Sequence, residues 1–137
     1  MVLSLSPTRK VIRGDSDRIQ VKFTKKKGKS KIPVDITDWT IKFTVRKEVP
    51  DSSVLDDNDA MIKADGMIVN AEEGLVHIYI ESEQTKQLEP GKYLYDLQVV
   101  WPIDDFGHQK VKSIVRGKYI IIGDITRRQW LRSYFKV

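Results

Sequence analysis

Apolar and polar residues alternate along most of this chain with a period of two, which marks strands packed on one face. The longest such run follows Pro90-Gly91, a turn pair in which proline presets φ and glycine accepts positive φ. From there Tyr93, Tyr95, Leu97, Val99 and Trp101 share one side, and Leu94, Asp96, Gln98 and Val100 share the other. The first set is large and apolar and belongs to a core. The second is mixed and faces solvent or a neighbour. The pattern predicts the central strand of an antiparallel sheet. A tyrosine placed just after the turn can bond back to the preceding connection, the tyrosine corner of β-sandwiches. Tyr93 or Tyr95 can fill that role, or both are core aromatics without a corner bond.

The same alternation recurs elsewhere. Arg18 to Thr24 reads as the first core strand. Thr40 to Arg46 turns Ile41, Phe43 and Val45 inward, and Trp39 extends their face. Leu75 to Ile80 places Val76, Ile78 and Ile80 inside, with Leu75, His77 and Tyr79 outside. Lys110 to Val115 is a less regular strand that Gly117 is expected to break. Lys118 to Ile122 is nearly all apolar, which predicts cover on both sides.

Between these runs lie turn signals. Arg13-Gly14-Asp15 matches a cell-adhesion tripeptide but reads better as a turn before a strand. Lys25-Lys26-Lys27-Gly28-Lys29-Ser30-Lys31 is expected to be a solvated hairpin loop. Such a cluster can touch phosphates, but it has no interleaved aromatic to stack on bases. Pro33 confines Ile32 to Ile36 to an edge or a strand start, and Thr37-Asp38-Trp39 makes a bend. Asp65-Gly66 is expected to turn a hairpin between Met61-Ile62-Lys63 and Met67-Ile68-Val69. Glu72-Glu73-Gly74 turns the chain again, Ser82 is placed to cap one helical turn, and residues 102–107 form a polar hairpin loop. Asp51, Asp56, Asp57 and Asp59 suggest calcium, but the glycine and glutamate positions of a calcium loop are not in place, so a solvated loop is expected.

About seven to nine strands without long crossover helices favour an all-β antiparallel sandwich over any α/β fold. The expected division is an N-terminal arm over residues 1–11, a sandwich over 12–124 and a docking tail over 125–137. In the tail, Trp130, Leu131, Tyr134 and Phe135 would share one helical face, and Arg128, Arg132 and Lys136 another. This apolar surface either folds back on the sandwich or docks on another chain. The protein-contact candidates are Arg127, Arg128, Trp130, Arg132, Tyr134 and Phe135.

Composition narrows the chemistry. The 137 residues suit one domain and carry no cysteine, which removes disulfides, thiol catalysis and cysteine-bound zinc and fits a reducing compartment. The net charge of +5 suits an acidic partner but falls short of a dense nucleic-acid-binding face. No run reaches the roughly 18 apolar residues of a membrane helix. His77 and His108 are the only histidines, and no phosphate loop, metal spacing or Ser-His-Asp set accompanies them. No catalytic residue, cofactor or metal is expected.

Several segments in order resemble the immunoglobulin-like domains of phage baseplate upper proteins and related tail structural proteins. They are Arg13-Gly14-Asp15; Pro33 to Arg46, similar to "P-x-D-L-T-G" followed by a strand; Leu88-Glu89-Pro90-Gly91-Lys92-Tyr93-Leu94-Tyr95-Asp96-Leu97, similar to "L-P-x-G-x-Y-x-Y-D-L"; Gly117 to Ile121; and Asp124 to Arg127. Asp38 stands where the family often has glycine. The resemblance implies an immunoglobulin-like sandwich and a non-enzymatic building block of a virion, made in the host cytoplasm. Its partners would be other virion proteins and copies of itself, with no small-molecule substrate, no membrane and no nucleic acid expected. A tail, baseplate or neck component is one reading. A capsid decoration or head-fibre protein is a second, and a carbohydrate- or nucleic-acid-binding β module a third. The last needs exposed aromatics along a groove, for which Tyr79 and Trp101 are the candidates.

Overall fold

The computed structural model describes residues 2–3, 5, 7–47 and 60–123. Nine strands and one short helix appear among them: β1 (Val2–Leu3), β2 (Thr8–Ile12), β3 (Asp17–Lys27), β4 (Ser30–Pro33), β5 (Thr40–Lys47), β6 (Ala60–Asn70), β7 (Leu75–Ile80), α1 (Ser82–Lys86), β8 (Gly91–Val100) and β9 (Val111–Ile122). The strand order is β1-β3-β7-β6-β5-β8-β9-β2, with β4 pairing β3 as a hairpin. Set β2 and β4 aside and letter the rest in chain order. One layer is then A-B-E-D and the other C-F-G, the two sheets of an immunoglobulin-like sandwich. All the pairings are antiparallel except β2 against β9.

The alternation predicts the core well. Ile19, Val21 and Phe23, then Ile41, Phe43 and Val45, then Val76, Ile78 and Ile80 are buried, as are Tyr93, Tyr95, Leu97 and Val99. Phe43 stacks on Tyr95 at 5.3 Å and meets the edge of Tyr119 at 6.1 Å. At one end of the core Trp39 lies between Phe23 (5.6 Å) and Trp101 (5.2 Å), on the face foreseen for it. Such aromatic pairs add roughly 0.5–1.5 kcal/mol each beyond simple burial.

Two glycines behave differently from expectation. Asp65-Gly66 does not turn a hairpin, because β6 runs straight through it. Residues 60–65 pair with β5, whereas residues 66–70 pair with β7, so one strand serves both layers. Gly66 sits at the crossing, where a Cβ would stand 2.7 Å from Val76 Cγ1 and 2.9 Å from Ile41 Cβ. Nor does Gly117 break β9. A side chain there would collide with the Pro7 carbonyl oxygen and come within 2.5 Å of Tyr95 Cε1. Both glycines mark close approach inside a strand rather than its end.

Other local readings shift by smaller amounts. The stretch set apart as an arm contributes β1 and β2, the latter pairing Thr8–Ile12 with Lys118–Ile122. Lys118–Ile122 is paired along both edges, but its two faces are not both covered as expected: Tyr119 and Ile121 are buried, whereas Ile122 on the other face is exposed. The cap of α1 is Glu81 rather than Ser82, and its N–H donates to Gln84 Oε1 at 2.9 Å. The hairpin over 25–31 is present, but Lys25, Lys26, Lys27 and Lys31 belong to strands, and the turn is only Gly28-Lys29.

The connection between β7 and β8 is fixed at both ends. Tyr93 Oη donates to the Glu89 carbonyl at 2.7 Å, so Tyr93 makes the corner. The Arg13-Gly14-Asp15 turn docks on α1: Gly14 N donates to Thr85 Oγ1 (3.0 Å), Thr85 Oγ1 to the Asp15 carbonyl (2.7 Å), and Arg13 Nε to the Leu88 carbonyl (2.9 Å). These bonds explain the tripeptide as a structural turn.

The far ends of the strand order meet through charge. Arg9 on β2 forms a two-pronged pair with Asp17 on β3, Nη2 to Oδ1 at 2.7 Å and Nε to Oδ2 at 3.1 Å. Tyr119 Oη adds a bond to Asp17 Oδ2 at 3.2 Å. Burial, then the nearby Asp17 charge, hold the Tyr119 hydroxyl well above the usual tyrosine range, so it stays a donor.

Two stability outcomes follow. Gly117→Ala should lose about 1–3 kcal/mol in urea unfolding through forced repacking around Tyr95, and wild-type stability would show that this approach is slack. Asp17→Asn should lose about 3 kcal/mol, as for a buried pair stripped of one partner. Arg9→Met combined with Asp17→Leu should recover part of that loss, and a double variant weaker than the single one would contradict this account.

Candidate interaction surface

The outward residues of β6, β5, β8 and β9 form the most chemically varied face among the described residues. Alternation sends Lys42, Thr44 and Arg46 out from β5, and Asp96 and Gln98 out from β8. Register then assembles rows across the sheet. Lys63, Thr44, Asp96 and Arg116 form one row, and Asp65, Lys42, Gln98 and Ser113 the next. Directly opposed side chains in such rows start only about 4.5–5.5 Å apart at Cβ. A shallow cleft of about 300 Å³ lies over β5, lined by Lys42, Thr44, Arg46, Lys63, Asp65 and Asp96 among others.

Asp96 is the unusual member. Half-burial pushes its carboxyl above the usual carboxylate range, and the Arg46 and Arg116 charges pull against that effect. Groups perturbed by burial together with specific charge partners cluster at functional sites, which makes Asp96 the residue to test on this face. The rim has four cations (Lys42, Arg46, Lys63 and Arg116) for two carboxylates (Asp65 and Asp96), so the face suits an acidic partner surface. Phe43 borders the cleft but its ring is buried, so no described lining residue offers an exposed aromatic.

A second exposed feature lies at the end of this sheet. In the loop joining β8 to β9, Asp104 Oδ1 accepts from the N–H groups of Phe106 and His108, both at 2.9 Å. The tight turn leaves Ile103 65% and Phe106 85% exposed.

The remaining candidates are scattered. Arg127, Arg128, Trp130, Arg132, Tyr134 and Phe135 lie outside the described residues, as does the acidic stretch 51–59 considered for calcium. His77 lies on the outer face of β7 with its Nε2 3.2 Å from Gln20 Oε1, whereas His108 is in the β8–β9 loop. Tyr79 is exposed on β7, but Trp101 packs on Trp39 beneath the Lys110 ammonium, so the two do not line one groove. Among the described residues no three His, Asp or Glu side chains stand close enough to hold a metal ion, and no helix is long and apolar enough to cross a membrane. Sequence reading missed Asp96. Its only signal was a lone acid on the outward side of the strongest strand.

No family model matches this chain, and no curated protein matches it. Among solved structures, it is similar to murine CRIg at 13% identity and a TM-score of 0.44, over 90% of this chain and 98% of that one. It is also similar to AggA, the major subunit of aggregative adherence fimbriae type I from Escherichia coli, at 11% identity and a TM-score of 0.32, over 88% of this chain and 93% of that one. Both likenesses are too distant to bear on function.

The Asp96 environment gives a signed expectation. Because its folded carboxyl titrates above its unfolded value, the charged form costs stability as pH rises through the carboxylate range, and the cost is absent below it. Asp96→Asn should therefore melt higher than wild type at neutral pH and level with it in strong acid. A lower melt at neutral pH would mean that Arg46 and Arg116 outweigh the desolvation.

Proposed function

We propose that this protein is a non-enzymatic structural component of a bacteriophage virion, a tail, baseplate or neck protein that assembles through its sandwich edges and termini. The observation that carries the reading is Asp38. This residue holds φ at 64°, in the left-handed region that glycine favours and aspartate tolerates. It is the position where the resembling family often has glycine, so the departure in residue type preserves the backbone shape. Two further segments support the same reading. Leu88 to Leu97 builds the tyrosine corner and the centre of one layer, and Pro33 to Arg46 leads through the bend into its neighbour β5. The charged face over β5 and β8 and the exposed loop tip at Ile103 and Phe106 give such a block surfaces for neighbouring subunits. A capsid decoration or head-fibre role would use the same surfaces at another place in the particle. A carbohydrate-binding role finds less support, since Tyr79 and Trp101 do not share a groove.

Mass spectrometry of purified particles from the encoding phage should find this chain at a fixed ratio to the tail proteins. Particles that lack it throughout assembly would overturn the proposal. Within that reading the aromatic tail is the docking arm. Trp130→Ala should leave the thermal melt of the isolated protein unchanged while blocking incorporation, at a cost of about 2 kcal/mol per contact. A steep fall in melting temperature, as expected for a core cavity costing about 3–5 kcal/mol, would assign Trp130 to the chain's own fold.

A further inference from the structure

The lysine-rich hairpin of β3 and β4 is the part of the fold that neither the core nor the charged face explains. β7 pairs with β3 only as far as Lys22 and β1 only at Phe23 and Thr24, so from Lys25 onward β3 pairs, among the described residues, with β4 alone as a two-stranded ribbon. Lys25, Lys26, Lys27, Lys29 and Lys31 lie on this ribbon and all are exposed. Beyond the backbone ladder of the hairpin, none of their side chains makes a hydrogen bond or ion pair with any described residue. Lys26 stands directly opposite Lys31, a like-charge pairing that weakens a hairpin unless something anionic lies against it. Alternation places Lys26 and Lys31 on one face and Lys25 and Lys27 on the other, with Lys29 at the turn.

We propose that this hairpin binds the phosphate backbone of double-stranded nucleic acid. A two-stranded ribbon fits the major groove of a duplex. There it stands between two rows of phosphates, and cations on both of its faces find partners. A flat acidic protein surface or a membrane would engage one face and leave the other unused. Protein interfaces are also depleted in lysine, whereas nucleic-acid interfaces are strongly positive. The ribbon carries no aromatic ring, so it offers no stacking platform for single strands. Its lysines act as point charges without a fixed fork, which suits binding independent of base sequence. The modest net charge of the whole chain concealed this site because the cations are concentrated in seven consecutive positions, 25–31, that contain no acid.

The test is fluorescence anisotropy of the full chain with a labelled random-sequence DNA duplex over a range of salt. Each lysine–phosphate contact contributes about −0.9 to the slope of log affinity against log salt, so five contacts give about −4.5. Replacing Lys25, Lys26, Lys27, Lys29 and Lys31 together by glutamine should abolish most of that slope. The smaller Lys27→Gln, Lys29→Gln pair should remove about 1.8 of it, and it keeps the test open if the larger variant does not fold. Glutamine at Arg127, Arg128 and Arg132 should leave the slope nearly unchanged. The proposal falls if wild type does not bind the duplex at low salt, or if the hairpin variants bind as wild type does. It also falls if phosphatidylserine vesicles or polyglutamate bind more tightly than the duplex with the same lysine dependence.

Discussion

The fold depends on closing one curled sheet on itself. The strand order places β2 at one end and β3 beside β1 at the other, yet only residues 13–16 separate β2 from β3 in sequence. The two ends must meet, and Arg9 and Asp17 are what meet there. A planar guanidinium matched to a carboxylate fixes direction as well as distance, which a lysine at position 9 would not do. Asp17 is largely buried, with a side chain only 11% exposed. Burying that charge is unfavourable unless its oxygens are occupied, and Arg9 and Tyr119 occupy them. Tyr119 belongs to β9, so the same carboxylate ties β2, β3 and β9 together. Gly117, two residues earlier in β9, leaves room for the Pro7 carbonyl to accept from the Lys118 N–H at 2.9 Å, which seats the start of β2 beside β9.

This arrangement explains which parts of the structure could be read from the residues. Strand faces follow from local alternation, and Ile19, Phe43, Ile78 and Leu97 are all buried where the pattern places them. The corner tyrosine could be narrowed to Tyr93 or Tyr95, because the turn at Pro90-Gly91 limits which hydroxyl can reach back. Glycine was the misleading signal. At Gly66 and Gly117 the residue is needed because another strand or ring passes close by, and that neighbour is distant in sequence. Locally such a glycine looks the same as one in a turn. The closing pair was not legible for the same reason. Arg9 lay in a stretch without periodicity, and nothing near it named Asp17 as its partner.

The candidate surface was legible in outline only. Alternation sends Asp96 outward, but its half-burial and its placement between Arg46 and Arg116 arise from cross-strand register, which one sequence does not state. Likewise the lysines of 25–31 could be seen as exposed without showing that they alternate across a ribbon. Composition gave their number, whereas the pairing of Lys26 with Lys31 gave their arrangement.

These two charged regions differ in what surrounds their charges, and that difference decides what each can recognise. Around Asp96 the cations stand beside carboxylates on a broad four-stranded face, so a partner must match both signs and the fit becomes selective. On the hairpin the charge is of one sign and solvated on every side, so attraction is long-ranged, salt-sensitive and indifferent to detail. The closure at Arg9 and Asp17 lets both coexist on a small domain. Because the core and the closing pair hold the strands, the outward positions of β5 and β8 and the free ribbon of β3 and β4 can carry unfavourable charge. A fold that relied on those positions for its stability could accommodate neither the desolvated Asp96 nor the opposed lysines.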